Sequence, residues 1–156
     1  MIKRKGRCSC GDVVYVLYND FMFVHTCHCN LCRKITGSAF IINGMIEGSN
    51  FNLKKGSLEN FIGPSGSGKK HNIKRCKKCG DPIVSYFGNT EHLAVVKIGS
   101  LDRPENVLPQ AHIFVSEKLE WVELKDTIPK YDRIYDFEST WPVESFKRLV
   151  SVRQMK

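Results

Sequence analysis

Seven cysteines, spaced as Cys8-x-Cys10, Cys27-x-Cys29-x-x-Cys32 and Cys76-x-x-Cys79, constrain this chain more than any other feature. Zinc held by four thiolates is coordinatively closed and structural, whereas three thiolates leave a position open for water or substrate. Seven sulfurs divide into four and three, so the pattern predicts one metal that holds the fold and one that can do chemistry. Cys8-Ser9-Cys10-Gly11 and Cys76-Lys77-Lys78-Cys79-Gly80 each end on a glycine that permits the tight turn needed to aim two sulfurs at one ion. Together they predict a tetrahedral zinc site of Cys8, Cys10, Cys76 and Cys79. The trio Cys27, Cys29 and Cys32 is compact enough to bind a second zinc, with a fourth ligand from His25, His28, His71, His112 or solvent.

A disulfide framework fits the cysteines poorly. The odd count leaves a thiol over, and Cys-x-Cys pairs are awkward to bridge within normal geometry. Met1 to Lys5 run into Cys8 with no apolar stretch resembling a signal peptide, which points to a reducing, cytoplasmic location. The 156 residues suit one domain, and no run approaches the ~18 apolar residues of a membrane span. Seven thiolates and two zinc ions would lower the formal charge of +8 to about +5. That remainder favours anionic ligands without being a nucleic-acid footprint. Lys69, Lys70, Lys74, Arg75, Lys77 and Lys78 crowd the last cysteine pair and read as a solvated positive surface.

The apolar pattern is mainly that of short strands: Val14 to Tyr18, Phe21 to Thr26, Ala39 to Ile46, Ile83 to Phe87 and Leu93 to Ile98. Asn19-Asp20, Asn43-Gly44, Gly48-Ser49-Asn50 and Gly88-Asn89 punctuate them as turns. The expected fold is a mainly β single domain of short antiparallel strands. A C-terminal helix is expected from about Pro142 to Val152, with Val143, Phe146, Leu149 and Val150 on one face and Thr140 as its cap.

Three thiolates leave a metal site with one net negative charge, which weakens its hold on water as a nucleophile. Soft sulfur ligands suit exchange of a further thiolate, and metal binding deprotonates an incoming thiol. The trio therefore points to chemistry on sulfur.

Gly6-Arg7-Cys8-Ser9-Cys10-Gly11, Cys27-His28-Cys29-Asn30-Leu31-Cys32-Arg33-Lys34 with Thr36-Gly37-Ser38-Ala39-Phe40, and Cys76-x-x-Cys79-Gly80 resemble the glutathione-dependent formaldehyde-activating enzyme (GFA) and centromere protein V family. His112-Ile113-Phe114-Val115-Ser116-x-Lys118 with Trp121, and Ile128-Pro129-x-Tyr131-Asp132, are similar to its later motifs. The resemblance implies a β-tent over residues 6–132, with 133–156 a C-terminal extension that is expected to be helical and to pack on the same domain. It implies a structural zinc at Cys8, Cys10, Cys76 and Cys79 and a catalytic one at Cys27, Cys29 and Cys32. The implied activity is that of a carbon–sulfur lyase, condensing glutathione with formaldehyde to S-(hydroxymethyl)glutathione.

Gly63-Pro64-Ser65-Gly66-Ser67-Gly68-Lys69 satisfies the opening of a phosphate-binding loop, but Lys70 stands where a magnesium-binding hydroxyl is needed, and no amphipathic helix follows. It reads instead as a hairpin loop near the metal sites, with Lys69 or Lys70 holding a carboxylate of an anionic thiol. His112 is a further candidate for substrate positioning or proton transfer. The competing functional class is a non-catalytic module in which both zinc ions are structural and the surface binds a protein or nucleic acid. Its basic stretch lacks the interleaved aromatics that stack single-stranded bases.

Overall fold

The computed structural model describes residues 3–65 and 68–155, so Gly66 and Ser67 of the glycine-rich loop lie outside the described residues. The chain runs through β1 (Arg4–Arg7), β2 (Val14–Leu17), β3 (Phe23–Cys27), α1 (Asn30–Thr36), β4 (Ile41–Glu47), β5 (Phe51–Lys55), β6 (Leu58–Gly63), β7 (His71–Cys76), β8 (Pro82–Phe87) and β9 (Leu93–Lys97). β10 (Ala111–Ile113), β11 (Lys130–Tyr131) and the helices α2 (Phe137–Thr140) and α3 (Val143–Gln154) complete it. The strands form a small sheet, β1-β2-β5, and a large one, β11-β10-β3-β4-β9-β8-β7-β6. The fold is mainly β, as the short apolar runs predict.

The large sheet is covered on both faces, which is why its central strands read as continuous apolar runs rather than alternating ones. Val24, Ile46 and Val96 face a core shared with Tyr15 and Leu17 of the small sheet. Their neighbours Phe23, Met45 and Val95 point the other way, into a second core with Tyr135, Trp141 and Leu149 of the C-terminal segment. The Trp141 and Phe23 rings stack at a centroid distance of 5.2 Å. Arg148 of α3 clamps Glu47 at the end of β4 with two contacts of 2.6 Å.

The chain path departs from three expectations. Antiparallel pairing holds except at β10, which runs parallel to β3 and β11. The long connection from β9 gives the chain room to re-enter the sheet in that direction. Asn43-Gly44 is no turn but the middle of β4, opposite His25-Val24 on one side and Lys97-Val96 on the other. Glycine stands there for space, since a Cβ would lie 2.6 Å from Phe21 Cδ1 and 2.8 Å from Ile98 Cδ1. Thr140 ends α2 instead of capping α3, because Asp136 has already started a helical turn by accepting the Ser139 amide at 2.9 Å. α3 then begins after Pro142 with no side-chain cap, burying Leu149 and Val152 and leaving Val143 exposed. Among the described residues no helix is long and apolar enough to cross a membrane.

Candidate functional site

Two turns of the same design bring the four outer cysteines together. Cys8 follows β1 and Cys76 ends β7. In each turn the first cysteine's amide donates to the carbonyl five residues on, Cys8 to Val13 at 3.2 Å and Cys76 to Asp81 at 2.9 Å. Gly11 and Gly80 take positive φ values of 73° and 80°, the left-handed turn conformation that glycine adopts without strain. The Ser9 amide donates to Asp81 Oδ2 at 2.6 Å and ties one turn to the other. All four sulfurs lie within 4.8 Å of one another, with Cys8 and Cys10 at 3.4 Å and Cys10 and Cys76 at 3.9 Å. A tetrahedral ion with metal–sulfur bonds of about 2.3 Å sets its sulfurs ~3.8 Å apart, so the cluster fits such an ion. The Asp81 amide also draws the Cys79 thiol down to about 7, towards the thiolate that binds metal.

The second cluster is built on a strand-to-helix turn. Cys27 closes β3, Cys29 is the N-cap of α1, and Cys32 lies in its first turn, its amide donating to Cys29 Sγ at 3.3 Å. Their sulfurs also lie within 4.8 Å of one another. Hydrogen bonds from Cys27 and then Cys32 hold Cys29 down to about 2, while Cys27 is pushed far up by Cys29. The trio thus favours negative charge on at least one sulfur, the form a metal requires. Cys27 is buried, but Cys29 and Cys32 are partly exposed.

No histidine, cysteine or carboxylate joins the trio as a fourth ligand among the described residues. His25 Nδ1 lies 2.9 Å from the Tyr135 hydroxyl. His28 turns its Nε2 to His112 Nδ1 at 3.1 Å. His112 sits opposite Thr26 while Ile113 sits opposite Cys27, so its side chain occupies the sheet face away from Cys27. His71 stacks on Phe87 and donates through Nδ1 to Pro64 O at 3.2 Å.

Lys69 and Lys70 are exposed in the loop between β6 and β7. That loop joins two antiparallel strands, so the chain after Lys69 has no helix N-terminus for phosphate. It lies at the opposite end of β7 from Cys76, roughly 17 Å along the strand. It approaches α1 instead, since Gly63 and Pro64 line a cavity with Leu31, Lys34 and Ile35. The basic run is partly structural: Lys74 pairs with Glu91 at 2.8 Å, and Arg75 donates to Gly80 O and Ile35 O, linking the outer cluster to α1.

Lys97 is the residue that motif reading passes over. It is 8% exposed at the end of β9, and its Nζ donates to Asn43 Oδ1 at 3.0 Å. Burial draws it down to about 8, while Cys32 and Cys27 pull it back up. It also lines a cavity of about 610 Å³ with Arg7, Thr36, Ser38, Phe40 and Asp81, between the first cysteine turn and the end of α1. The available signal was strand phase: in Leu93-Ala94-Val95-Val96-Lys97 the lysine faces the same way as the buried Val95.

Fold and clusters together define a mainly β domain with two groups of cysteines able to hold metal ions. A sequence model described as glutathione-dependent formaldehyde-activating enzyme matches residues 3–117, and the chain belongs to that family. No curated protein sequence matches the chain. A crystal structure of a Rhodobacter sphaeroides protein, a structural-genomics target, is similar at 24% identity and a TM-score of 0.48, covering 67% of this chain and 97% of that one.

Proposed function

We propose that the protein is a zinc-dependent carbon–sulfur lyase-type enzyme that joins a small thiol to an aldehyde, with glutathione and formaldehyde as substrates. One observation carries this reading: four sulfurs converge at Cys8, Cys10, Cys76 and Cys79, but only three at Cys27, Cys29 and Cys32, two of them partly exposed. In this reading each chain holds two zinc ions, a structural one in the outer cluster and a catalytic one in the trio, and works in the reducing cytoplasm.

When bound at the trio, zinc supplies an open position that lowers the pKa of an incoming thiol. Cys27, Cys29 and Cys32 hold that position beside the buried β3 end. Lys97 supplies positive charge from the sheet face that carries Cys27. In the forward direction the thiol sulfur forms a bond to the carbonyl carbon, and a proton reaches the former carbonyl oxygen to give the hydroxymethyl thioether. The reverse breaks the same carbon–sulfur bond. Lys69 and Lys70 are the exposed cations that would meet a substrate carboxylate, and unchanged thiol affinity in Lys69→Ala and Lys70→Ala at low salt removes them from that role. His112, on the sheet face away from Cys27, stays a candidate for substrate positioning or proton transfer, and unchanged thiol exchange in His112→Gln removes it from that role.

Exchange-spectroscopy NMR on glutathione plus formaldehyde tests the reading, with zinc-loaded protein and with Cys29→Ser. Exchange above background that is lost in the variant supports it. Background exchange throughout leaves another thiol adduct or a non-catalytic zinc module as the function.

A further inference from the structure

Lys97 presents an electrostatic problem that the fold alone does not solve. A buried ammonium is strongly disfavoured unless paired with a counter-charge. None of the ion pairs among the described residues includes it. Its hydrogen-bond acceptor is the neutral amide of Asn43. The groups that pull its pKa up are Cys32 and Cys27, which carry negative charge once deprotonated to hold a metal, while Arg75 opposes its charge.

Strand register explains how it comes to stand there. Asn43 sits opposite His25 on one side and Lys97 on the other. Cross-strand partners share a face, and Cys27 lies two residues beyond His25 on that same face. His25, Asn43 and Lys97 therefore form a polar row across three strands, one pleat away from Cys27. Two residues further along the same face stand the apolar Phe23, Met45 and Val95.

We propose that Lys97 is the fixed counter-charge of the trio, a positioning residue that makes the site accept an anionic fourth ligand, a thiolate, in preference to a neutral one. The inference rests on the function proposed above. Three thiolates round a dication carry one net negative charge, and a fourth makes two. Placing that second charge in a partly buried site is unfavourable unless a cation is already there. The incoming thiol's proton leaves to solvent, and Lys97 stays charged throughout. Asn43 holds the ammonium in place, and its neutrality leaves the positive charge uncancelled.

The test uses the full chain loaded with cobalt(II), whose thiolate charge-transfer absorption reports sulfur ligands added at the trio. Glutathione, 2-mercaptoethanol and imidazole are titrated separately into wild type, Lys97→Met, Lys97→Gln and Lys97→Arg. Lys97→Met and Lys97→Gln are expected to weaken both thiols by roughly tenfold or more, while imidazole affinity stays within about twofold. Lys97→Arg restores most of the thiol affinity. Loss of cobalt from the trio alone, with the outer cluster still loaded and the fold intact, is a stronger form of the same result. Equal thiol affinity in wild type and the neutral variants overturns the proposal and leaves the proposed function standing, as does parallel weakening of thiols and imidazole. Failure of both neutral variants to fold with the outer cluster loaded, while Lys97→Arg folds, assigns the charge to the fold and also overturns it. If wild type binds neither thiol, the open three-thiolate reading itself fails, and this inference with it.

Discussion

At the scale of single residues, the two cysteine clusters make different demands on the same atom type. Cys76 is 1% exposed and joins turns that lie far apart in sequence, whereas Cys29 caps a helix whose neighbours supply its own turn. A structural zinc site contributes ~10–16 kcal/mol of binding energy that is also folding energy, comparable with a domain's whole stability of about 5–15 kcal/mol. Cys76→Ser is therefore expected to unfold the chain at room temperature, read as loss of the cooperative thermal transition. Cys29→Ser is expected to keep that transition, to release one metal ion per chain on elemental analysis, and to lose thiol exchange. Equal unfolding of both variants contradicts the division of roles. Glycine positions are as specific. At Gly48 a Cβ would lie 1.7 Å from the backbone oxygen of Glu91, so the strand end must move to admit alanine. Gly48→Ala is expected to cost about 3 kcal/mol, measurable as a lower urea midpoint.

At the scale of elements, α3 is secured to β4 by a polar clasp as well as by Leu149. Arg148 meets both Glu47 oxygens and donates to Asp20 O at 2.9 Å. Burial of the Glu47 carboxyl acts to raise its pKa, but Arg148 and the hydrogen bonds around it outweigh burial and leave it below the ordinary 4.5. A carboxyl lowered in the folded state stabilises fully above its unfolded pKa and loses that contribution as pH falls through the folded value. Glu47→Gln should then lower stability by about 1–3 kcal/mol at pH 7, and the gap to wild type should narrow below pH ~4.5. Urea unfolding at both pH values checks this, and a gap that is constant with pH would assign the effect to packing. The clasp was not legible in sequence, because Glu47 and Arg148 are ordinary surface types at a separation of 101 residues. β8, β9 and α3 were legible, since apolar periodicity is a local property. β6 and β7 were not: Leu58–Gly63 interrupts its apolar residues with Glu59 and Asn60, His71–Cys76 is mostly polar, and they become strands through pairing with each other and with β8. The cysteine clusters were readable for the opposite reason, since ligand spacing is local even where the closing contact is distant. The polar row of His25, Asn43 and Lys97 depends on register across three strands, which no local pattern states.

At the scale of the whole molecule, the residues beyond the family match supply a wall of the trio's surroundings. The match ends at residue 117, yet Tyr135, Trp141 and Leu149 pack in the same core as Cys27, with Cys29 and Cys32 against its edge. Residues 133–156, proposed as an extension of a 6–132 domain, would then be required to keep that core dry. Deleting them is expected to expose Phe23, Met45 and Val95, and Leu149→Ala alone should cost ~2–5 kcal/mol. Tyr135→Phe separates cover from chemistry. The substitution keeps the ring against Phe23 but removes the hydroxyl that meets His25 Nδ1 at 2.9 Å. His25 is buried, and burial holds it down to about 3, so it stays neutral and depends on that hydroxyl for its ring nitrogen. Stranding the nitrogen should lower stability by about 1–3 kcal/mol on urea unfolding of the metal-loaded protein. An unchanged urea midpoint would mean that the ring finds another partner, leaving the extension as apolar cover. A lowered midpoint with unchanged thiol affinity would make Tyr135 a support of the fold. Only a fall in both would place the extension within the binding machinery, because a displaced His25 would disturb the row through Asn43 to Lys97.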